Sequence, residues 1–201
     1  MEQQTLLADW FVPPAVPDVP GLRYLTDWID AATEHELLAQ SAAMPWQGDW
    51  QRRVQVYGFG YGPDAAKVPP MPPWLVPLSA RLVREGILER AAENAVINEY
   101  LPGQGIGAHR DYAPFGPTVV SLSLGAWCVM ELRRSPSGDR HDLPLAPRSL
   151  VVLGGEARSL WTHAIPRRQS DRIQGVRVPR GRRVSVTFRT LVSPADDPRE
   201  G

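Results

Sequence analysis

Short strand-like segments, separated by turn residues, crowd into the second half of this chain and restrict the folds open to it. Each segment is rich in apolar and β-branched residues, as strands are. The segments are residues 95–100, 118–124, 127–132, 149–153 and 183–191. Together they predict an α+β protein in which many short strands close into a barrel or jelly roll, not a parallel sheet.

The first half is expected to contribute helices. Thr33-Glu34-His35-Glu36 has the spacing of a capping box, which predicts the start of a helix at Thr33. Residues 74–85 predict a second helix, which prolines precede and which Gly86 ends. Residues 21–28 and 51–57 are predicted as strands.

Composition predicts a soluble, cytoplasmic protein. The 201 residues are 43% hydrophobic and 22% charged, as in ordinary globular domains. No apolar run is long enough to cross a membrane, and no signal-peptide pattern is present. The single cysteine, Cys128, excludes an internal disulfide and is expected to be buried. No nucleotide-binding glycine motif occurs.

Charge is unevenly distributed along the chain. Residues 1–100 carry 7 basic and 13 acidic side chains, whereas residues 101–201 carry 15 and 9. Seven arginines and one acid, Asp171, lie between Arg167 and Arg183. Such a run suits either a phosphate-binding loop or a solvated surface loop, and the sequence leaves both open.

A short motif indicates a metal site. His109 and Asp111 fall on one face of an extended backbone, so both can bind one ion. Of the other three histidines, His35 lies in a predicted surface helix and His141 in a polar loop, whereas His163 follows an apolar stretch. His109, Asp111 and His163 would form the two-histidine, one-carboxylate facial triad of non-haem iron oxygenases. Taken singly, His109 and His163 would each more often be a structural histidine held by a hydrogen bond than a metal ligand.

The segment from Arg183 to Arg189 alternates polar and apolar residues. One face carries Arg183, Ser185, Thr187 and Arg189. Two arginines on an inner strand face need anionic partners, and a small dicarboxylate supplies two. The alternative is a polar face exposed to solvent.

These motifs, in this order, resemble those of AlkB-like dioxygenases over residues 54–191. The matching motifs are Asn98-Glu99-Tyr100, His109-Arg110-Asp111, His163 and Arg183-x-x-x-Thr187-Phe188-Arg189. The resemblance implies a double-stranded β-helix with N-terminal helices and a lid. It also implies an enzyme that uses Fe(II), 2-oxoglutarate and O2.

The resemblance assigns the cosubstrate site as well. It implies that Arg183 and Tyr100 bind the distal carboxylate of 2-oxoglutarate, with Ser185 beside them. It implies that Asn98 and Arg189 lie at the end that chelates iron. A structural role in the core is the alternative for Tyr100.

The domain limits expected from the resemblance are an extended arm over residues 1–20 and a single domain over residues 21–195. Within that domain the lid covers about residues 50–73 and the catalytic jelly roll about residues 95–192. The lid is expected to place Arg53, Tyr57, Phe59 and Tyr61 against the substrate.

Three functions remain open at this point. The first is oxidative demethylation or hydroxylation of an alkylated nucleic-acid base, in DNA or RNA repair or modification, on a single-stranded or tRNA-like partner. The motifs around Ser121, Arg148 and Trp161, and Ser185 itself, are similar to homologues that modify wobble uridine in tRNA. The second is oxidation of a protein side chain or small molecule, and the third is a non-catalytic binding module. A monomer that does not bind membranes is expected.

Overall fold

The computed structural model describes residues 15–49, 52–60 and 68–192. This part of the chain contains three helices, α1 (Ala31–Ala43), α2 (Val76–Arg84) and α3 (Gly155–Ser159). Its strands are β1 (Leu22–Leu25), β2 (Gln47–Asp49), β3 (Arg52–Gly58), β4 (Asn94–Tyr100), β5 (Ile106–His109), β6 (Phe115–Gly125), β7 (Cys128–Arg134), β8 (Arg140–Leu145), β9 (Leu150–Leu153), β10 (Trp161–Ile165), β11 (Ser170–Ile173), β12 (Val176–Pro179) and β13 (Arg183–Leu191).

Two antiparallel sheets form the body of the protein. The major sheet has the order β1-β9-β6-β13-β4-β3-β2, and the minor sheet has the order β5-β10-β7-β8. A third, two-stranded sheet is the β11–β12 hairpin. The crossovers between non-consecutive strands are those of a jelly roll, so the predicted double-stranded β-helix is confirmed.

Strand β13 lies at the centre of the major sheet, between β4 and β6. Its register places Arg183 opposite Tyr100 on one side and Gly125 on the other. Val184, Val186 and Phe188 are almost fully buried on one face of the strand. The predicted alternation is therefore present, and the polar set of β13 occupies the opposite face of the sheet.

Helices α1 and α2 cover the outer face of the major sheet. Leu37 of α1 and Leu78 and Leu82 of α2 share a core with Phe188 and Ile97. A second core, which includes Val119, Met130 and Trp161, joins residues of the two sheets. Burying these large apolar side chains supplies most of the stabilisation, at about 25 cal/mol for each Å² removed from water.

The helix ends differ slightly from prediction. Helix α1 is capped by Asp30, whose side chain accepts a hydrogen bond from the Thr33 N–H at 2.8 Å. The predicted cap at Thr33 is therefore wrong, because an aspartate three residues earlier already satisfies that donor. Helix α2 begins at Val76, not Trp74, and Gly86 follows it with a φ of +64°.

Several strands were missed by the sequence patterns. The predicted loop around His141 contains β8, and the arginine-rich segment contains the β11–β12 hairpin. Ile173 and Val178 of this hairpin pack against Trp127 and Val129, in a small cluster separate from the two main cores. Polar and turn-forming residues dominate these segments, so their short apolar anchors give little periodic signal.

The predicted N-terminal arm and lid lie partly outside the described residues, which exclude residues 1–14, 50–51 and 61–67. Val19, at the end of the arm, is buried against the second core. Cys128 is buried and unpaired, as expected. No helix in the described ranges is long and apolar enough to span a membrane.

Candidate active site

Three side chains converge where β5 and β10 lie side by side. His109 ends β5 directly opposite His163 in β10, and their ring centroids are 4.4 Å apart. Asp111 follows two residues after β5, and its Oδ2 lies 3.7 Å from His163 Nε2. The strand register thus brings together the three side chains that were predicted from the sequence as metal ligands.

Hydrogen bonding prepares two of these groups as metal donors. His109 Nδ1 lies 2.8 Å from the Gly107 carbonyl oxygen. A carbonyl only accepts, so Nδ1 carries the proton and Nε2 keeps its lone pair for a metal. Asp111 Oδ2 is buried and has no hydrogen-bond partner among the described residues. A buried carboxylate oxygen without a donor is costly unless a cation binds it.

The protonation states also suit a metal. Burial lowers the pKa of His163 to about 4 despite the opposing charge of Asp111, so its imidazole is neutral near pH 7. Burial acts to raise the pKa of Asp111, but the charge of Arg189 and its hydrogen bond to Asp111 outweigh burial and lower that pKa. Neutral imidazole and ionised carboxylate are the forms that bind divalent ions.

The three side chains converge without forming a closed cluster. Across residues 15–49, 52–60 and 68–192, no three His, Cys, Asp or Glu side chains are already gathered into a metal-binding group. The donor set of His109, Asp111 and His163 is nevertheless the one that non-haem Fe(II) takes, with positions left for other ligands. The residues present therefore fit iron.

The polar face of β13 lines a cavity of about 350 Å³ that extends from these three side chains. Arg183, Ser185, Thr187 and Arg189 all contribute to its wall. The face therefore encloses a site instead of meeting open solvent. This volume lies within the range of small-molecule sites, about 300–1,000 Å³.

Arg183 lies at one end of the polar face and is 3% exposed. Its Nη2 donates to Ser123 Oγ at 2.9 Å, and its guanidinium carbon lies 5.4 Å from the centre of the Tyr100 ring. Its Nε is buried without an acceptor among the described residues. A buried guanidinium with an unused donor fits a carboxylate ligand.

Arg189 occupies the other end and holds Asp111. Its Nε and Nη2 lie 2.7 Å and 2.6 Å from Asp111 Oδ1. Its Nη1 donates to Asn94 Oδ1 at 3.0 Å. Asn94 was not predicted as a site residue, although its position in β4, four residues before Asn98, places it on the same strand face.

Asn98 and Tyr100 also line the cavity. Asn98 Oδ1 accepts a hydrogen bond from Arg52 Nε at 2.9 Å. The amide oxygen is thus occupied, which leaves the amide nitrogen as the donor toward a ligand. Burial raises the pKa of Tyr100, so its hydroxyl stays protonated and able to donate. All five predicted cosubstrate residues therefore lie on one cavity.

The predicted lid residues divide between two faces of the sheet. Tyr57 is buried in the core under the helices, and its hydroxyl donates to Gln55. Arg53 points outward and pairs with Glu99 at 2.5 Å. Neither residue lines the cavity, because strand alternation in β3 turns Arg52 inward instead.

Phe59 is the predicted lid residue that lies near the cavity mouth. Its ring meets Phe115 edge-on at 6.3 Å, and Phe115 meets Tyr112 edge-on at 6.1 Å. Phe115 and Tyr112 line the cavity, and Tyr112 is 53% exposed. We call Phe59, Tyr112 and Phe115 the aromatic rim. Tyr61 lies outside the described residues.

Arg158 of α3 fixes the loop that carries Asp111 and part of this rim. Its guanidinium donates to the carbonyl oxygens of Asp111, Tyr112 and Phe115 at 3.1, 3.0 and 3.3 Å. Burial lowers the pKa of Arg158, although the charge of Asp111 acts against this. No periodic pattern predicts this contact, since it depends on the path of the loop.

The arginine-rich segment is largely engaged within the protein. Arg180 is 8% exposed and forms a bidentate pair with Asp171, at 2.6 Å and 2.9 Å. Arg182 binds Glu99 at 2.6 Å, and Arg168 binds Glu131. Internal carboxylates therefore bind three of the seven arginines of this segment, Arg168, Arg180 and Arg182, and the choice between a phosphate-binding loop and a solvated surface loop stays open.

The chain matches the family model of the 2OG-Fe(II) oxygenase superfamily over residues 43–189. A similar curated protein, an uncharacterised protein of Acanthamoeba polyphaga mimivirus, is 31% identical over 86% of this chain and 85% of its own length. An alkylated DNA repair protein ALKBH8 homolog of Arabidopsis thaliana is 35% identical over 87% of this chain. The tRNA (carboxymethyluridine(34)-5-O)-methyltransferase ALKBH8 of Macaca fascicularis is 34% identical over 81%.

This chain covers only part of some relatives: 59% of the Arabidopsis protein and 26% of the Macaca protein. Among solved structures, that of OsALKBH1 superposes with a TM-score of 0.67 and 16% identity, over 87% of this chain and 100% of that one. That likeness concerns the fold. The family resemblance seen in the sequence is thereby confirmed, and the alternative of a non-catalytic module falls away. The chain belongs to the 2OG-Fe(II) oxygenase superfamily as an AlkB-like member, an oxidoreductase that uses Fe(II), 2-oxoglutarate and O2.

Proposed function

We propose that this enzyme oxidises an alkyl group on a nucleic-acid base, by demethylation or by stable hydroxylation. The observation that carries this proposal is the aromatic rim at the mouth of the cavity that holds the three iron donors. Flat aromatic side chains beside a narrow cavity suit a planar base that has been turned out of its strand.

In this proposal His109, Asp111 and His163 hold iron. When bound, the iron together with 2-oxoglutarate and O2 supplies the oxidising chemistry, in which one oxygen atom enters a substrate C–H bond and the other enters succinate, with loss of CO2. The protein contributes binding, orientation and exclusion of water. Arg189 holds one oxygen of Asp111, so that the other oxygen is directed at the metal.

Arg183 and Tyr100 bind the distal carboxylate of 2-oxoglutarate in this arrangement. The Arg183 guanidinium is buried beside the Tyr100 ring and has an unused Nε donor, so a carboxylate there completes its hydrogen bonding. Ser185 lies between Arg183 and Thr187 on the same face. Asn98 offers its amide nitrogen nearer the metal. The cosubstrate is thus oriented along β13.

The aromatic rim would hold the base above the metal. Tyr112 is more than half exposed, whereas Phe115 is 3% exposed and anchors the two outer rings. Arg158 fixes the carbonyls of the same loop. A base that stacks here would bring its alkyl group toward Asp111, because Asp111, Tyr112 and Phe115 line the same cavity.

The names of the relatives support a nucleic-acid substrate. One relative is named for repair of alkylated DNA and another for a tRNA carboxymethyluridine. These names describe proteins of which this chain covers only part, so they favour the class of substrate and not the base. A protein side chain or a small molecule is the alternative substrate.

The test is succinate formation from 2-oxoglutarate under Fe(II) and O2, with and without a single-stranded oligonucleotide that carries 1-methyladenine. We expect turnover to rise with the oligonucleotide and to release formaldehyde, and we expect His109→Ala to abolish both. A tRNA bearing 5-carboxymethyluridine is tested in parallel for a stable hydroxylated product by mass spectrometry.

The outcomes separate the alternatives. Turnover that ignores every nucleic acid would reject the proposed substrate while leaving the oxygenase assignment intact. In that case peptides and small molecules become the substrates to screen. Matched turnover of methylated and unmethylated oligonucleotides would also count against base oxidation, since the alkyl group would then not be recognised.

A further inference from the structure

The charges that line the cavity do not balance. Its wall contains four arginines, Arg52, Arg110, Arg183 and Arg189, and one carboxylate, Asp111. Three positive charges are left over if the histidines are counted as neutral. A divalent iron and a doubly negative 2-oxoglutarate cancel each other, so the same surplus remains in the loaded site. Surplus charge in a partly enclosed cavity attracts an anion.

Three of the four arginines have identified roles or lie at the edge. Arg189 is bound to Asp111 and Asn94. Arg183 is buried beside Tyr100, where a carboxylate of the cosubstrate fits. Arg110 lies at the exposed edge of the cavity, where its guanidinium donates a hydrogen bond to the Ser159 carbonyl oxygen at 2.8 Å. Arg52 is left without an assigned partner of opposite charge.

The geometry of Arg52 suits an anion within the cavity. Its Nε donates to Asn98 Oδ1 at 2.9 Å, which fixes the plane of the guanidinium. No carboxylate among the described side chains forms an ion pair with it, whereas its neighbour Arg53 pairs with Glu99. The two Nη atoms therefore remain for a ligand, and two parallel donors match the two oxygens of a carboxylate or phosphate.

We propose that Arg52 forms an oxyanion-binding subsite for the substrate, beside the cosubstrate, and so selects substrates that carry a carboxylate or a phosphate close to the oxidised group. The subsite lies on β3, which β4 separates from β13 in the major sheet, and Arg52 is hydrogen-bonded to Asn98 of β4. Its existence does not depend on the substrate being a base, but the identity of the anion's carrier rests on the proposed function.

The first experiment measures the subsite without a substrate. Protein loaded anaerobically with Fe(II) and 2-oxoglutarate is titrated with inorganic phosphate at constant ionic strength by calorimetry. Arg52→Gln is compared with Arg53→Gln, which changes the same residue type one position away on the opposite face. Arg52→Lys retains the charge but not the pair of donors, and thermal unfolding checks that every variant is folded.

Wild-type protein and Arg53→Gln are expected to bind phosphate equally, and Arg52→Gln to bind it at least about tenfold more weakly, since a charge-assisted bidentate contact is lost. Arg52→Lys should fall between them. Phosphate binding that is absent in the wild type, or unchanged in Arg52→Gln, would overturn the proposal. If Arg52→Gln does not fold, the phosphate affinities of Arg52→Lys and the wild type are compared instead, and equal affinities would overturn the proposal.

The second experiment identifies the carrier of the anion. KM is measured for two matched pairs: 1-methyladenosine with its 5′-monophosphate, and 5-carboxymethyluridine with its uncharged amide. Preference for the charged member in the first pair assigns a phosphate, and preference in the second pair assigns a carboxylate. Arg52→Gln should erase whichever preference appears, and Arg53→Gln should keep it.

Failure of the subsite and failure of the proposed function give different results. If phosphate binding depends on Arg52 but no nucleoside or oligonucleotide is bound or oxidised, the base substrate is rejected and the subsite stands. If bases are oxidised but charged and neutral members are used equally by the wild type, the subsite is rejected and the proposed function stands.

Discussion

Arg189 binds a single oxygen of Asp111, Oδ1, through two nitrogens at 2.7 and 2.6 Å, and leaves Oδ2 buried without a partner. The two oxygens of one carboxylate thus have different surroundings. Asn94 accepts from the third nitrogen of Arg189 at 3.0 Å, which keeps the guanidinium from rotating. The chain of contacts from Asn94 in β4 through Arg189 in β13 to Asp111 thus fixes the orientation of the proposed iron ligand.

We therefore expect Arg189→Gln to weaken iron binding by about 10–100-fold, because partners behind a metal ligand contribute on that order. Anaerobic Fe(II) titration measures this directly. Asn94→Ala, which removes only the hydrogen bond between Asn94 and Arg189, should have a smaller effect in the same direction. Unchanged iron affinity in Arg189→Gln would show that Asp111 is held by the loop backbone alone.

The loop backbone is itself held by Arg158, and a second prediction concerns this contact. Arg158→Lys should increase amide hydrogen exchange over residues 111–115, because a single ammonium cannot bond to three carbonyls that a planar guanidinium reaches together. Turnover should fall as iron and substrate are positioned less well. Arg134→Lys, which alters a half-exposed pair with Glu156, serves as the matched control. Equal exchange in both variants would contradict a role for Arg158 in the loop.

The sequence predicted the parts of the site that depend on local pattern. His109 and Asp111 are two residues apart on extended chain, and the four polar residues of β13 alternate with buried apolar ones. Both patterns hold whatever the pairing of the strand with its neighbours, because side chains along one strand alternate with a period of two. That His163 joins His109 and Asp111 depends on the pairing of β5 with β10, which no local pattern predicts.

The sequence failed where direction depended on the phase of a strand. The lid strand was predicted correctly, but Arg53 and Tyr57 were assigned to the cavity and Arg52 was overlooked. A shift of one residue along a strand moves every side chain to the other face of the sheet. The aromatic residues of β3 suggested a substrate-facing role, but Arg53 and Tyr57 lie on the face opposite to that of Arg52. The ion pairs of the arginine-rich segment could not be predicted for another reason: its partners Glu131 and Glu99 are distant in sequence.

Glu131 gives a prediction for pH. It is 6% exposed and binds Arg133 and Arg140 at 2.7 and 2.9 Å, and also Arg168. Burial acts to raise its pKa, but the Arg133 hydrogen bond and the charges of Arg140, Arg133 and Arg168 outweigh burial, so the pKa lies below its ordinary value.

A depressed carboxylate pKa stabilises the fold above the pKa of the unfolded chain, and this stabilisation is lost as pH falls through the folded pKa. The stability of the wild type should therefore decline with acid below about pH 4.3, the ordinary pKa of glutamate. Glu131→Gln should lose about 1–3 kcal/mol near pH 7, a range reduced from that of fully buried pairs because its partners are partly exposed. Chemical denaturation at several pH values measures both. The difference between the two proteins should shrink in acid, and a constant difference would contradict this assignment.

Phe59 gives the most direct test of the aromatic rim. Its ring is 38% exposed and meets Phe115 edge-on, whereas Tyr57, two residues earlier, is 3% exposed in the opposite core. If a base stacks at the rim, Phe59→Ala should weaken oligonucleotide binding by about 1–3 kcal/mol, the usual value for one stacked base. Tyr57→Phe, which removes only a buried hydroxyl, should leave binding unchanged and instead lower the free energy of unfolding by about 1 kcal/mol. Fluorescence anisotropy with a labelled oligonucleotide and denaturant unfolding separate the two effects. Because both residues lie on β3 or its end, a loss of oligonucleotide binding in Tyr57→Phe comparable to that in Phe59→Ala would mean that the whole strand, and not the rim, controls substrate binding.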